Sequence, residues 1–384
     1  MIDYLLSDEQ IMIRDLCRQI TDEKIRPAAA EYDKSEKFPW DIVKFIGQAD
    51  LFGIYIEEKY GGMGGGIFDL CLATEEFSKG CAGIALSYAA TALGTYPLML
   101  FGSEEQKQKF LPSIAKGERL CAFGLTEASA GSDAGALQTT AEKDGDHYII
   151  NGVKHFITNG GDAEIYTIIA MTDKSKGPRG ASLFVIEKGT PGFSFGKKEE
   201  KMGIRASSTR ELIFNNCRVP KENLLGKEGM GFIAAMKTFD MSRPGIGAQA
   251  LGLAQGALDE ALKYAKQRKQ FDKSITSFQG IQWMLADMAT QVEAARALVY
   301  ASAREIDAGK KNVGSHSAMA KMYASDVAMK VAVDAVQIFG GYGYMREYPA
   351  EKYMRDAKIT QIYEGTNQIQ RNIIAAALIR ESIR

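Results

Sequence analysis

The chain has 384 residues, 46% hydrophobic and 25% charged, which is ordinary globular composition for two or three domains and argues against disorder. With 47 basic against 48 acidic residues the net charge is -1, so neither nucleic acid nor an anionic membrane surface is favoured as a partner. Five cysteines (Cys17, Cys71, Cys81, Cys121, Cys217) without a Cys-x-x-Cys pair, and only three histidines, speak against a disulfide framework and against a metal centre.

The amino terminus is acidic and has no basic region followed by an apolar run, so no signal peptide is visible. No apolar run is read as approaching the roughly 20 residues of a membrane helix. A reduced, soluble, cytoplasmic protein is expected. Ser7 to Gln10 resembles a capping box that leads into Ile11, Ile13, Leu16 and Ile20. Phe38 to Asp41 opens a second helix ending near Gly47, and the glycine-dense run Glu58 to Gly66 is a loop without the lysine or strand–helix context of a phosphate cradle. Helices follow over Asp69 to Lys79, Ala82 to Phe101 and Glu104 to Ala115. From Leu120 to about Leu225 the pattern is strand and turn. Asn151-Gly152, between His147–Ile150 and Val153–Thr158, predicts a hairpin. Further strands are expected at Ile165–Met171, Ser182–Glu187 and Glu211–Phe214. Helices resume at Gly229. Pro244 predicts a kink or a start there, Phe278 to Asp307 carries a bundle seam (Ile281, Leu285, Met288, Val292, Ala295, Val299), and Ser315 to Phe339 is a second long helix stopped by Gly340-Gly341. Helices, then strands, then helices imply an α+β protein with segregated layers: an N-terminal helical domain over 1–119, a middle β-domain over 120–228 and a C-terminal helical-bundle domain over 229–384.

Five stretches carry chemistry. Phe123 to Asp133 is crowded with hydroxyls, glycines and backbone donors at the first helix-to-strand junction, which suits a polar ring edge and a phosphate. It also reads as a domain-boundary turn. Phe156 to Gly161 puts an aromatic and a hydroxyl at a strand end, or is a plain strand-ending turn. Arg268 to Asp272 supplies a cation for a phosphate or a solvated helix end, and Phe239 to Arg243 is a polar step in a helix, alone more simply a solvated face. Ile359 to Arg371 places Glu364 behind Ile359, Ile362 and Tyr363. A carboxylate among apolar groups is harder to ionise, which suits a base near neutral pH, and Gly365 leaves clearance for a ligand. Alone, that stretch is more simply a loop glutamate before a helix cap at Thr366 or Asn367.

Taken together, and with Met202 to Arg205, Phe278-Gln279 and Gln337 to Gly341 added, these stretches resemble the acyl-CoA dehydrogenase family from end to end, nearest its short-chain, butyryl-CoA-type members. The resemblance implies that the C-terminal domain is a four-helix bundle and that the protein binds FAD, usually in a homotetramer. Leu125, Thr126, Ile157 and Thr158 would contact the flavin ring, with Phe123 and Phe156 beside it, while Gly131 and Ser132 would lie towards the cofactor phosphates and the CoA part of the substrate. Arg268, Phe271, Gln279 and Gln337, Ile338, Phe339, Gly340 and Gly341 would hold pyrophosphate and adenosine across a subunit boundary, and Thr366, Asn367 and Gln368 would complete the FAD site. Asp240 and Arg243 would meet CoA; Tyr363 and Gly365 would flank the acyl thioester. Glu364 matches the family's base, and Ser242 stands where some members carry theirs, so no rival carboxylate is present. Ala128 replaces a frequent proline, no arginine lies in Gly83 to Ala89 to favour a dicarboxylyl substrate, and Tyr88 is placed to shape the acyl pocket. The expected reaction is α,β-dehydrogenation of a short or medium, branched or ring-bearing acyl-CoA, with electrons passed to an electron-transferring flavoprotein. Enoyl-CoA reduction in reverse, oxygen-using chemistry and a silent helical scaffold are the alternatives.

Overall fold

The computed structural model describes residues 4–382. Helix α1 (Asp8–Ile20) starts at the expected capping box, with Ser7 and Gln10 exchanging hydrogen bonds of 3.2 Å. It continues through a π-helical turn, Thr21–Ile25, into α2 (Arg26–Ser35), which the left-handed Glu36 ends. α3 (Trp40–Gln48), α4 (Ile67–Gly80), α5 (Ala82–Phe101) and α6 (Glu104–Ala115) complete the N-terminal helical layer. The first turn of α4 is capped from far away in sequence: Ile67 N and Phe68 N donate to the Asp307 carboxylate at 2.7 and 2.8 Å, joining the N-terminal helices to the C-terminal ones. α5 corrects one expectation, being long and apolar enough to cross a membrane, but most of its surface is buried inside the protein.

The middle layer is an eight-stranded sheet built from β1 (Cys121–Gly124), β2 (Thr140–Asp144), β3 (His147–Thr158), β4 (Ile165–Met171), β5 (Ala181–Glu187), β6 (Phe193–Lys198), β7 (Thr209–Pro220) and β8 (Leu224–Leu225). The order is β6-β7-β3-β2-β4-β5-β8, with β1 parallel to β4. The hairpin expected at Asn151-Gly152 is absent, and β3 runs straight through it. Pairing with β7 jumps there from Ile150–Cys217 to Gly152–Phe214, so β7 carries the extra residue of a bulge. Asn151 Oδ1 accepts the N–H of left-handed Asn216 in that bulge at 2.7 Å, and a Cβ on Gly152 would sit 2.6 Å from Thr139 Oγ1. The real hairpin turns at Gly145-Asp146, where Asp144 pairs with His147.

In the C-terminal layer α7 (Gly231–Gln267) runs unbroken through Pro244 and does not start there. The proline lacks the N–H that Asp240 O would accept in a helix, and Ser317 Oγ donates to that carbonyl at 2.7 Å instead. α7 packs with α8 (Gln279–Asp307), α9 (Gly314–Phe339) and α10 (Ala350–Thr360), and α11 (Asn367–Ser382) lies on α9. In α8 the seam is buried from Met288 onward, whereas Ile281 and Leu285 are only partly covered. α7 also meets α4 and α5 through small residues: a Cβ on Gly252 would fall 2.3 Å from Glu75 O, and one on Gly256 2.6 Å from Lys79 O. Gly252→Ala should therefore force α4 and α7 apart and cost about 1–3 kcal/mol. Gly245→Ala, whose Cβ meets nothing within 4 Å, should leave the midpoint unchanged or raise it. Thermal unfolding followed by circular dichroism compares the two, and equal midpoints would refute the close-packing account.

Candidate active site

α10 ends at Thr360, and the chain reverses before α11, whose first turn is capped by Thr366 Oγ1 accepting from Ile369 N at 3.3 Å. Within this reversal Glu364 is left-handed at φ 50° and Gly365 follows at φ 91°. Gly365 has a reason inside the protein. Gln370 Nε2 donates to Glu364 O at 3.1 Å and Gly365 O at 2.8 Å, and a Cβ at 365 would lie 2.6 Å from that nitrogen. Tyr363 OH donates to Gln249 Oε1, and Gln249 Nε2 donates to Ala82 O at 3.0 Å, tying the other side of the loop to α7 and α5.

The Glu364 carboxylate meets α7. Ser242 Oγ donates to its Oε2 at 2.5 Å, and Arg243 Nε donates to its backbone oxygen at 3.5 Å. Arg243 is buried and also pairs with Asp240 at 3.3 Å. Burial pushes the Glu364 carboxyl up to about 6, against the opposing pull of the Ser242 hydrogen bond and the Arg243 and Lys321 charges. The group is thus poised to gain and lose a proton just below neutral pH. The Glu364 amide N–H donates to no protein acceptor among the described residues.

Glu364 opens into a cavity of about 470 Å³. Leu86, Ala89, Ala90 and Leu93 of α5 give it an apolar wall, and Phe239, Arg243 and Ile246 of α7 form another. A third side combines flat apolar surfaces (Leu125, Phe156, Ile157) with the hydroxyls of Thr126, Thr158 and Ser132. The loop carrying Gly131 and Ser132 is held from beneath by Glu127. Its carboxylate accepts from Gln138 N at 2.6 Å and Thr139 N at 3.1 Å, and pairs with fully buried Lys154 at 2.6 Å. Lys154 Nζ also donates to Leu125 O at 3.1 Å. Burial pulls the Lys154 ammonium down to about 8 and pushes the Glu127 carboxyl up, but the lysine's charge and hydrogen bond leave that carboxyl below its ordinary range. The pair is ionised at neutral pH.

Phe123, Leu125, Thr126, Gly131, Ser132, Phe156, Ile157, Thr158, Arg243, Tyr363, Glu364 and Gly365 therefore share one cavity. Other expected site residues lie elsewhere on the chain. Arg268, Ile338, Phe339, Gly340 and Gly341 line a second, open cleft, where the Arg268 guanidinium stacks over Tyr342 at 5.6 Å. Thr366, Asn367 and Gln368 line a third. Phe271, Gln279 and Gln337 are exposed and line none of these clefts. Asp240 faces Arg243 and is not part of the cavity wall. Tyr88 does not shape the pocket, because it is buried with its hydroxyl donating to Leu51 O at 3.0 Å. Met202 to Arg205 docks the sheet on α10, where Ile204 N donates to Asp356 at 2.6 Å. Sequence reading passed over Lys154, Gln370 and Lys321. The available signal for Lys321 was a lysine on the alanine-rich face of α9, next to Ala318, Ala320 and Ala324.

Three family models cover almost the whole chain: the N-terminal domain of acyl-CoA dehydrogenase over residues 7–118, the middle domain over 122–217 and the C-terminal domain over 229–379. The chain belongs to the acyl-CoA dehydrogenase family. It is 51% identical over 381 residues to a short-chain-specific acyl-CoA dehydrogenase of Clostridium acetobutylicum, covering 99% of this chain and 100% of that one. An acryloyl-CoA reductase (NADH) of Anaerotignum propionicum is 48% identical, over 99% of this chain and 96% of the relative. The structure of butyryl-CoA dehydrogenase from Megasphaera elsdenii superposes with a TM-score of 0.96 at 49% identity, over 98% and 100% of the two chains. A chain from work on the electron transferring flavoprotein of Acidaminococcus fermentans and flavin-based electron bifurcation superposes at 0.97 with 53% identity, over 99% and 100%. An acyl-CoA dehydrogenase complexed with FAD from Bacillus anthracis gives 0.93 at 35% identity, over 100% of this chain and 69% of that one.

Acyl-CoA dehydrogenases are FAD-dependent oxidoreductases acting on CH–CH groups. The cavity fits that cofactor. The flat apolar side with hydroxyls at its edge is the donor set that a flavin ring with one polar edge needs, and Gly131 leaves open space where a side chain would stand. Lys154→Met should strand the Glu127 carboxylate in the protein, costing about 3–5 kcal/mol, while the double change with Glu127→Gln should be milder. Thermal melting and bound-flavin absorbance read this out. A Lys154→Met protein with native melting and flavin content would contradict it.

Proposed function

We propose that this acyl-CoA dehydrogenase removes the α-proton and β-hydride of a short-chain acyl-CoA, with Glu364 as the base. The observation that carries the reading is Glu364 itself: a carboxylate poised near pH 6, hydrogen-bonded by Ser242 and opening into the cavity. FAD, when bound, supplies the hydride acceptor. Glu364 Oε takes the α-proton, and its uncommitted backbone N–H is available to the thioester oxygen, where negative charge develops. Arg243 holds a positive charge at the base, and the α5 wall of Leu86, Ala89, Ala90 and Leu93 excludes water from the acyl chain. Leu125, Thr126, Ile157 and Thr158, flanked by Phe123 and Phe156, would hold the flavin ring, with Gly131 and Ser132 towards its phosphates and the CoA. The second and third clefts would hold the adenosine diphosphate end from neighbouring copies in a homotetramer. A short acyl chain is supported by the names of the Clostridium and Megasphaera relatives, and electron transfer to an electron-transferring flavoprotein by the Acidaminococcus likeness. The same residues would serve enoyl-CoA reduction, the direction named for the Anaerotignum relative.

Glu364→Gln should retain flavin yet lower turnover by about 10²–10⁴-fold; undiminished turnover would remove Glu364 from the reaction. The carboxyl must be ionised to accept a proton, so wild-type kcat/KM should rise with pH through about 6. Ser242→Ala, lacking the hydrogen bond that favours the charged form, should move that limb to higher pH. A flat profile across that region would count against the assignment. Steady-state rates on a series of acyl-CoA and enoyl-CoA thioesters, with flavoprotein acceptor or donor, resolve chain length and direction.

A further inference from the structure

Lys321 is buried without exposed surface on the inner face of α9 and is not part of the cavity wall. Burying an ammonium is costly unless acceptors surround it. The acceptors here are Gly365 O at 2.8 Å and Asn367 Oδ1 at 2.9 Å, both just after the base in sequence. Asn367 is locked in turn: its Nδ2 donates to Ser325 Oγ at 2.9 Å and Asp326 Oδ1 at 2.8 Å. Arg243 of α7, Glu364 of the loop and Asp326 of α9 itself face the ammonium, and burial pulls it down to about 7. Around the Glu364 carboxylate stand Ser242 and Arg243 of α7, Lys321 of α9 and, more remotely, Tyr96 of α5.

The geometry points to Lys321 as a positioning residue for the reaction, an ammonium clamp on Gly365 and Asn367 that keeps left-handed Glu364 directed into the cavity and keeps its carboxylate charged. A helix cap alone does not need it, because Thr366 Oγ1 already caps α11. Nor does the loop's amide pattern, in which Tyr363 N donates to Ile359 O at 3.1 Å and Asn367 N to Gln361 O at 3.0 Å. What Lys321 adds is charge beside the base and a charged second donor to Gly365 O, which Gln370 Nε2 holds from the other side. The inference rests on Glu364 being the base.

The test uses the full-length flavoprotein carrying Lys321→Gln, with Lys321→Arg as the charge-retaining comparison. The Gln variant should lower kcat at least about tenfold with little change in KM. Its acid limb of kcat/KM should move to higher pH, since a cation that favours the carboxylate is gone. Backbone amide exchange in peptides spanning 361–370 should accelerate relative to α8, and the Arg variant should restore the acid limb. A Gln variant with a native acid limb and native exchange overturns the clamp, even if its rate is reduced. If the Gln variant fails to fold, Lys321→Met, which fills the same apolar space without donor or charge, carries the test through the same acid-limb and exchange readouts; native values for both overturn the proposal. Glu364→Gln separates the two failures. Retained turnover in that variant defeats the base assignment while leaving the exchange result standing, whereas an inactive Glu364→Gln beside a native Lys321→Gln defeats only the clamp.

Discussion

A carboxylate that works as a base near neutral pH has to lose most of its water and still be able to ionise. Burial alone would leave it neutral, and full solvation would leave it too weak a base. This protein meets both demands at one point, where α7 passes the loop between α10 and α11. Ser242 and Arg243, adjacent on α7, reach the side chain and the backbone oxygen of Glu364 respectively. Adjacent residues on a helix point about 100° apart, so a single turn of α7 addresses two different atoms of Glu364. That turn has to be stiff and in register, which is where Pro244 enters. It freezes the backbone beside Arg243, and Ser317 of α9 takes up the carbonyl that the proline leaves without a helical donor.

The rest of the architecture keeps α7 in that place. Its glycines let α4 approach to backbone contact, and Asp307 at the end of α8 caps α4, so the two helical layers are bound in both directions. The sheet is attached to the same frame at the cavity. Asn159, at the end of β3, donates to Ser87 O of α5 at 3.0 Å, and buried Lys154 on β3 ties Leu125 and Glu127 together. The cavity wall therefore has members from all three layers, although no single layer contains the site.

Helix positions, the all-β middle and the motif stretches were readable because each depends on local patterning. α6 matches its expected span, and most of the residues singled out between Phe123 and Thr158 share a cavity with Glu364. What could not be read was set by partners distant in sequence. Asn151-Gly152 has the composition of a turn, but Asn216 across the sheet claims the asparagine side chain and makes it half of a bulge. Pro244 has the look of a helix start until Ser317 is beside it. Gly365 lines the cavity, as ligand clearance requires, but its left-handed backbone and the Gln370 amide packed against it are set by the fold of the loop and are not encoded locally. The alanine-rich face of α9 marks Lys321 as buried, but its partners do not follow from that pattern, because both acceptors lie more than forty residues downstream. The spread of expected cofactor positions over three clefts likewise follows from surface geometry, which motif order does not encode.

The electrostatic setting of Glu364 also bears on how the carboxylate would respond to a filled cavity. Glu364 is only partly shielded by protein, and the remainder of its surroundings is open cavity. On the proposed function, an acyl chain lying along Leu86, Ala90 and Ile246 would dry that space and push the carboxyl further up, making it a stronger base at the moment an α-proton is presented. The same drying would strengthen the attraction of Arg243 and Lys321 for the carboxylate, because the screening medium would be gone. These two effects oppose each other. Their balance would depend on how much of the cavity the acyl group fills, so that the fit of the chain and proton transfer would be coupled through this one half-buried carboxylate.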